Sequence, residues 1–266
     1  MNLVHPLALV DSHCHLDFEC FDDDRETVID RAREAGVKHI VVPAITAANW
    51  GKVKSVCEQH QGLHPAYGLH PYYLEQHREQ QLAQLEQRIE STPAIAIGEC
   101  GLDYHLEHLD RRQQQHYFTS QLDIAQRFDL PVVIHARKST EDIIQAIRQR
   151  SGLKGMIHSY SGSFEQAKQL VDLGFYLSFG GAITYPRATR LQRVVARLPL
   201  SSLLIETDAP DQPGATHQGE RNEPAYLTEV LDVIATLRPE TKEVIAEQTT
   251  RNAMNLFSID RRDSEY

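Results

Sequence analysis

The 266-residue chain has few cysteines, a shortage of basic residues and no long apolar run. Its 4 cysteines include no CxxC pair, which argues against both a disulfide framework and a zinc knuckle. No segment approaches the ~20 apolar residues of a membrane helix, and the N-terminus lacks the basic region of a signal peptide. These absences predict a reduced, soluble, cytoplasmic protein that has no membrane partner.

Basic side chains number 27 against 37 acidic ones, which gives a formal net charge of -10. This balance argues against a broad basic surface of the kind that coats duplex nucleic acid. A small cationic groove or bound metal ions could still supply positive charge locally. The chain has no linker or low-complexity segment, so we expect one domain over 1–259, a frayed tail over 260–266, and a monomer with no obligate protein partner.

Short β-type runs alternate with longer helical patterns along the chain. The predicted strands are Leu7–Val10, Lys38–Val42, Leu63–Tyr67, Ala94–Ile97, Val132–Ile134, Gly155–Ile157, Phe175–Ser178 and Leu203–Ile205. Eight strand–helix units in ~250 residues are typical of a single (β/α)8 TIM barrel, an α/β fold. A doubly wound open sheet shares this alternation, but it usually carries a glycine-rich phosphate loop where this chain has Asp-Ser-His-Cys-His.

Side chains that bind metals follow several of the predicted strands, at the ends where barrel enzymes place their active sites. His13 and His15 follow the first strand two residues apart, so both side chains face the same way. The others are Glu99 after strand four, His135 after strand five, His158 after strand six and Asp208 after strand eight. A single histidine after an apolar run is commonly a satisfied edge residue. Six such residues at equivalent positions instead predict a metal centre at the C-terminal rim of the strands.

Four neutral imidazoles and two carboxylates can hold two divalent ions, with one carboxylate bridging them. Ions ~3.5–4 Å apart can share a hydroxide that attacks the substrate. We expect Asp208 to orient this hydroxide or accept its proton, and Glu206 to support the site from one layer below. A buried hydrogen-bonding or charge-pair role is the alternative for Glu206. The ions could be Mg²⁺, Mn²⁺, Zn²⁺ or Ni²⁺, because nitrogen and oxygen donors accept all four.

Seven motifs, taken in order, resemble the TatD family of metal-dependent deoxyribonucleases: DSHCHLD, GLHP, IGECGLDYH, LPVVIHARKS, IHSYSGS, GGAITYPRATR and LLIETDAPD. The stretch GGAITYPRA followed by ETDAPD is most similar to the YjjV-like branch. The resemblance implies a TIM-barrel hydrolase of the amidohydrolase superfamily that uses two divalent ions. By motif, His13, His15 and Asp208 would hold one ion, His135 and His158 the other, and Glu99 would bridge. It also implies Mg²⁺- or Mn²⁺-dependent nuclease activity, including 3′–5′ exonuclease action on single-stranded DNA.

Two cysteines depart from the family pattern, since Cys14 stands between the two histidines and Cys100 follows Glu99. A nearby cation could draw either thiol toward the thiolate form. Strand alternation instead predicts small buried residues that face away from the site, because each cysteine neighbours an inward-facing ligand.

Three residues on the rim loops are predicted to contact substrate phosphate, namely His70, Arg137 and Arg187. The alternative roles are loop capping for His70, a structural salt bridge for Arg137 and the start of the seventh helix for Arg187. Tyrosines on the same loops could stack on unpaired bases or cap the barrel rim. They are Tyr72, Tyr73, Tyr104, Tyr160 and Tyr185.

The sequence therefore predicts an enzyme, a metal-dependent hydrolase that acts on ester bonds. The interpretation we favour is a deoxyribonuclease with single-stranded DNA as substrate. A second hypothesis keeps the metals and replaces the substrate by a carboxylic ester, amide or lactone, including the ester of an aminoacyl-tRNA. A third is a non-catalytic metal-binding barrel, against which the complete ligand set argues.

Overall fold

The computed structural model describes residues 8–259, and within them it has eight strands and nine α-helices. Strands β1 to β8 are Leu9–Asp11, Val37–Pro43, Leu63–Tyr67, Ala96–Asp103, Val132–Arg137, Gly155–Ile157, Phe175–Phe179 and Leu203–Ile205. Helices α1 to α9 are Arg25–Glu34, Trp50–Gln59, Gln80–Ser91, Arg111–Arg127, Thr140–Arg148, Phe164–Asp172, Thr189–Arg197, Leu227–Leu237 and Lys242–Phe257. The predicted tail over 260–266 and Leu7 of the first predicted strand lie outside the described residues.

The strands form one parallel sheet in the order β1 to β8, and the chain just after β1 meets β8. The amide of Ser12 donates to Ile205 O at 3.1 Å, and Ser12 Oγ donates to the same carbonyl at 2.9 Å. The amide of Asp208 donates to His13 O at 2.9 Å. The TIM-barrel prediction is therefore confirmed. The doubly wound alternative is wrong, because sequential strand order around a ring leaves no point where the order reverses.

Helices and strands meet at breaks that the sequence marks. Gly36 follows α1 with φ at 96°, and Gly174 follows α6 with φ at 85°. Glycine adopts these left-handed values without steric cost, so it ends a helix readily. At the start of α6, Ser163 and Gln166 form a reciprocal capping box. None of the helices between residues 8 and 259 is both long and apolar enough to cross a membrane.

A small apolar cluster, separate from the larger one between strands and helices, fills the interior of the barrel. Its strand members are Val10, Val41, Ala66, Ala96, Val133, Met156 and Leu204. Met254 and Phe257 of α9 pack against this layer. Thr250 Oγ1 donates to Ala8 O at 2.8 Å, beside the start of β1. Helix α9 therefore covers the N-terminal end of the barrel, and the opposite end carries the candidate site.

Strand β4 is longer than predicted and carries Glu99 inside it rather than after its end. Its register against β5 shifts between Ile97 and Cys100. Gly98 and Gly101 have φ at 151° and 147°, and a side chain on Gly101 would collide with the backbone carbonyl of β5. The predicted end at Ile97 was wrong because these glycines allow an irregular strand to continue past the apolar run.

Candidate metal centre

The six side chains predicted to bind metal lie together at the C-terminal rim of the strands. Glu99 occupies the middle, and its two carboxylate oxygens face different partners. We define the Oε2 side as His13, His15 and Asp208, and the Oε1 side as His135, His158 and His70.

On the Oε2 side, His13 Nε2 lies 3.3 Å from Glu99 Oε2 and 3.3 Å from Asp208 Oδ1. His15 Nε2 lies 3.6 Å and 3.7 Å from the same two oxygens. The Nδ1 of His15 donates to Pro43 O at 3.2 Å, so the neutral ring keeps its lone pair on Nε2. Burial and the neighbouring His13 lower the pKa of His15 to about 3, and burial raises the pKa of Asp208 to about 6. At pH 7 this side thus presents a neutral imidazole at His15 and an ionised carboxylate at Asp208.

On the Oε1 side, His158 Nε2 and His135 Nδ1 lie 3.0 Å and 3.3 Å from Glu99 Oε1. The Nε2 of His135 donates to Asp103 Oδ2 at 3.2 Å, and His158 Nδ1 lies 3.5 Å from Glu206 Oε1. Burial disfavours the imidazolium of both rings. The carboxylates outweigh it, since Asp103 and Glu99 raise the pKa of His135, and Glu99 and Glu206 raise that of His158 well above its ordinary value.

The contacts around Glu99 place hydrogen-bond acceptors, each with a lone pair, against one another. A neutral His135 that donates through Nε2 turns the lone pair of Nδ1 toward a carboxylate oxygen, which also lacks a proton. Such a pair requires positive charge between its members, either a proton or a cation. Imidazole nitrogens and carboxylate oxygens are ordinary ligands of divalent metals. The donors fall into three groups whose atoms lie within 4.8 Å of one another: His13–His15–Glu99, His70–Glu99–His135 and His13–His158–Glu206. The buried residues present therefore fit a metal centre.

His70, which was predicted to contact substrate, lies within the centre. Its Nδ1 accepts from the amide of Tyr72 at 3.0 Å, so the neutral ring carries its proton on Nε2. That Nε2 lies 2.9 Å from Glu99 Oε1, to which it donates. Burial lowers the pKa of His70 to about 4, which keeps the ring neutral at pH 7. His70 therefore holds Glu99 in place, and because it also lines the cavity above the centre, a contact with substrate stays a prediction.

The two predicted arginine contacts differ in position. Arg137 ends β5 and lines an open cavity of about 700 Å³ above the centre. Arg187 is not among the described residues that line this cavity. It is exposed, and its guanidinium lies over the ring of Tyr185, 5.4 Å from the ring centroid. Arg187 therefore packs on Tyr185 ahead of α7, which begins at Thr189, and a contact of Arg187 with substrate phosphate stays a prediction.

The loop tyrosines differ in their exposure at the cavity. Tyr72, Tyr73 and Tyr160 all line it, but Tyr72 is 58% exposed whereas Tyr160 is 2% exposed. The hydroxyl of Tyr104 donates to Asp142 at 2.6 Å, and that of Tyr160 donates to Ser163 O at 2.5 Å. The hydroxyl of Tyr185 likewise donates a hydrogen bond to Pro213 O. Base stacking therefore stays a prediction for Tyr72, whereas Tyr104, Tyr160 and Tyr185 have structural partners.

Two further residues, Gln212 and Asp103, hold the site and were not predicted from the sequence. Gln212 donates to Asp208 Oδ2 and accepts from Ser159 Oγ at 2.8 Å, so it fixes the carboxylate. Asp103 orients a histidine of the Oε1 side, as described above. Its place in the GLD segment that follows Glu99 was a usable signal, whereas nothing in the sequence marks Gln212. Glu206 is fully buried and accepts from the amide of Ser159 at 2.5 Å, which agrees with its expected place below the site.

Cys14 and Cys100 are both buried, with their sulfurs directed at backbone carbonyls. Burial raises the pKa of both thiols, which opposes thiolate formation. The structure therefore agrees with small buried residues that face away from the centre.

Comparisons with known proteins give consistent results across the chain. A family model described as "TatD related DNase" matches residues 10–258. The protein described as uncharacterized metal-dependent hydrolase YjjV, from Escherichia coli strain K12, is 41% identical over 253 residues, covering 94% of this chain and 98% of that protein. The similarly described YabD of Bacillus subtilis strain 168 is 36% identical over 253 residues, covering 94% and 99%. The crystal structure of Escherichia coli K12 YjjV, a TatD homolog, matches with a TM-score of 0.92 at 40% identity, covering 95% of this chain and 98% of that one.

Proposed function

The chain belongs to the TatD-related DNase family, and from this membership and the geometry around Glu99 we propose that it is a metal-dependent hydrolase that cleaves phosphodiester bonds in single-stranded DNA. The proposal depends chiefly on one observation. The two oxygens of Glu99 face separate sets of imidazoles. Oε2 lies 3.3 Å from His13 Nε2, and Oε1 lies 3.0 Å from His158 Nε2. A carboxylate so placed can bridge two divalent ions.

In this proposal His13, His15 and Asp208 of the Oε2 side would hold one ion. His135 and His158 of the Oε1 side would hold the second, and Glu99 would contribute to both. His70 carries its proton on Nε2, so it donates a hydrogen bond to Glu99 and is not assigned as a metal ligand. Two bound divalent ions would supply Lewis acidity, which activates water and offsets the charge that develops on a phosphodiester.

Asp208 is the proton acceptor that we assign to the reaction. In the metal-free protein burial raises the pKa of Asp208 to about 6, so the carboxylate is ionised at pH 7 and can accept a proton. Oδ1 faces His13 at 3.3 Å, while Oδ2 accepts the hydrogen bond from Gln212. Both carboxylate oxygens thus have fixed partners, so the side chain is already oriented before the reaction begins.

The cavity above the centre supports a chain-like anionic substrate. Arg137 stands at its edge with an exposed guanidinium that can bind a phosphate oxygen, and exposed Tyr72 offers a ring on which an unpaired base can stack. A stiff duplex keeps its bases paired inside, so these two contacts favour a single strand. We propose 3′–5′ exonuclease polarity, as the family resemblance implies.

The test is the digestion of a 5′-labelled single-stranded DNA oligonucleotide, with Mg²⁺ or Mn²⁺, by wild type and Asp208→Asn. We expect wild type to shorten the strand from its 3′ end and the variant to be slower by about 10³-fold. Equal digestion by both would point to a contaminating nuclease and reject the assignment of Asp208. No digestion by wild type with metal bound would reject the deoxyribonuclease and favour a small ester, amide or lactone.

A further inference from the structure

A second cavity, of about 620 Å³, adjoins the one above the metal centre. Arg137 and Ser161 line both, so the two cavities are neighbours that share these residues. We call the second cavity the α5 groove, because the start of α5 forms one wall. Its charged residues are Arg111, Arg137, Lys138, Glu141, Asp142 and Arg190.

The α5 groove carries positive charge on a chain whose formal charge is -10. Four of its six charged residues are cations. Asp142 is already engaged, since it accepts from Tyr104 Oη at 2.6 Å and from Gln115 Nε2 at 3.2 Å. Within residues 8–259, neither Arg137 nor Lys138 forms a salt bridge or a side-chain hydrogen bond, and both are exposed. These two cations are therefore available to an anion from outside the chain.

The wall that presents these cations is fixed by the fold. Ser139 is buried, and its Oγ donates to Leu102 O of β4 at 2.6 Å. Lys138 takes a left-handed φ of 55°, which turns the chain sharply from β5 into α5. The side chain of Ser139 makes no capping hydrogen bond to the first turn of α5, and that turn carries the acids Glu141 and Asp142. Donors and cations held in place at one wall lower the entropy cost of binding a phosphate.

We propose that the α5 groove binds the sugar–phosphate backbone of a single-stranded polynucleotide whose reacting phosphodiester lies at the metal centre. The inference rests on the proposed function and specifies the substrate as a strand of several nucleotides. Arg137 is the junction, because it lines both cavities. Beyond it, Lys138 and Arg111 contact phosphates further along the strand. Arg111 is braced for this role by the ring of Tyr104, 4.5 Å below its guanidinium carbon.

Binding tests the groove without depending on cleavage. The probe is a fluorescein-labelled 12-nucleotide oligothymidylate with phosphorothioate linkages, which keep the backbone charge and resist cleavage. It is titrated with Mn²⁺-loaded protein and followed by fluorescence anisotropy at several salt concentrations. Arg111→Ala with Lys138→Ala should weaken binding about tenfold and flatten the slope of log affinity against log salt by about 1.4, since each phosphate contact to a single strand contributes ~0.7. A 3-nucleotide probe should show a much smaller effect, because it does not reach beyond Arg137.

The matched control is Arg112→Ala with Lys154→Ala. It removes the same charge from exposed residues that do not line the groove. If the groove pair and the control pair bind the 12-nucleotide probe equally, or if the parent protein does not bind it at low salt, the inference is overturned. Cleavage by otherwise wild-type protein tests the proposed function separately. If the protein digests DNA but the groove variants bind normally, the proposed deoxyribonuclease activity is supported and the groove is rejected. If binding depends on the groove but no DNA is digested, only the deoxyribonuclease activity is rejected.

Discussion

The two sides of Glu99 use the same side-chain chemistry in different surroundings. On the Oε2 side, a backbone carbonyl, that of Pro43, holds His15, and the ring is neutral because its pKa falls to about 3. On the Oε1 side, carboxylates hold His135 and His158 and raise the pKa of both. A neutral hydrogen-bond partner orients an imidazole and leaves its charge state to burial. A carboxylate partner also orients the imidazole, and it favours a positive charge at that ring, either a proton or a bound cation.

The difference predicts unequal behaviour toward metals. An imidazole that is already neutral accepts a cation without losing a proton, whereas a protonated one must release its proton first. Carboxylates behind the ring also make it a stronger ligand once the proton has gone. We therefore expect the Oε2 side to bind metal with little pH dependence, and the Oε1 side to bind more tightly as the pH rises.

Replacing Glu99 with Gln should weaken metal binding on both the Oε2 and the Oε1 side, because it removes the negative charge that both sides share. We expect activity on single-stranded DNA to fall by about 10³-fold and the bound metal to fall on both sides. Metal content by mass spectrometry, together with digestion of the labelled oligonucleotide, measures this. Cys100→Ser, at the next residue of β4, is the control. Retention of two equivalents of metal by Glu99→Gln would show that Glu99 does not bridge.

Replacing Asp103 with Asn should affect the Oε1 side alone. Loss of the charge behind His135 is expected to weaken metal binding there by about 10- to 100-fold, as for other residues that orient metal ligands, while the Oε2 side keeps its affinity. Calorimetric titration with Mn²⁺ resolves the two binding events. Asp123→Asn, at an exposed acid paired with Arg150, is the matched control. Equal weakening of both events would mean that the sides are not independent.

Changing the pH should increase the difference in metal affinity between the Oε2 and Oε1 sides of the unmutated protein. The pKa of His135 is raised and that of His158 is raised well above its ordinary value, so protons compete with a cation for these rings more strongly than they do for His15. Lowering the pH from 8 to 6.5 therefore strengthens proton competition and weakens the Oε1 event about tenfold per unit for each proton displaced. The Oε2 event should change little, because His15 and Asp208 titrate at about 3 and about 6. Mn²⁺ titration across this range measures both, and two parallel pH profiles would contradict the difference.

The barrel and the meeting of its ligands could be predicted from the sequence, because both depend on regular features. Parallel strands bring their C-terminal ends together, so His135 and His158 were placed by position alone. Glu99 was placed correctly at the rim but wrongly after its strand, since the irregular continuation of β4 depends on how its glycines pack against β5. Gln212 could not be found, because its role arises from a loop conformation that brings it back to Asp208. Arg187 was expected to contact phosphate, and its packing on Tyr185 depends on a side-chain conformation that the sequence does not reveal.

Helix α9 has a consequence for turnover. Because Met254 and Phe257 of α9 pack against the barrel interior at its N-terminal end, the cavity above the centre opens at the opposite end, the C-terminal rim. Under the proposed exonuclease reaction, the released nucleotide would leave on the same side from which the strand enters. Release of the nucleotide and advance of the strand would then occur one after the other, and free monophosphate would compete with the strand for the centre.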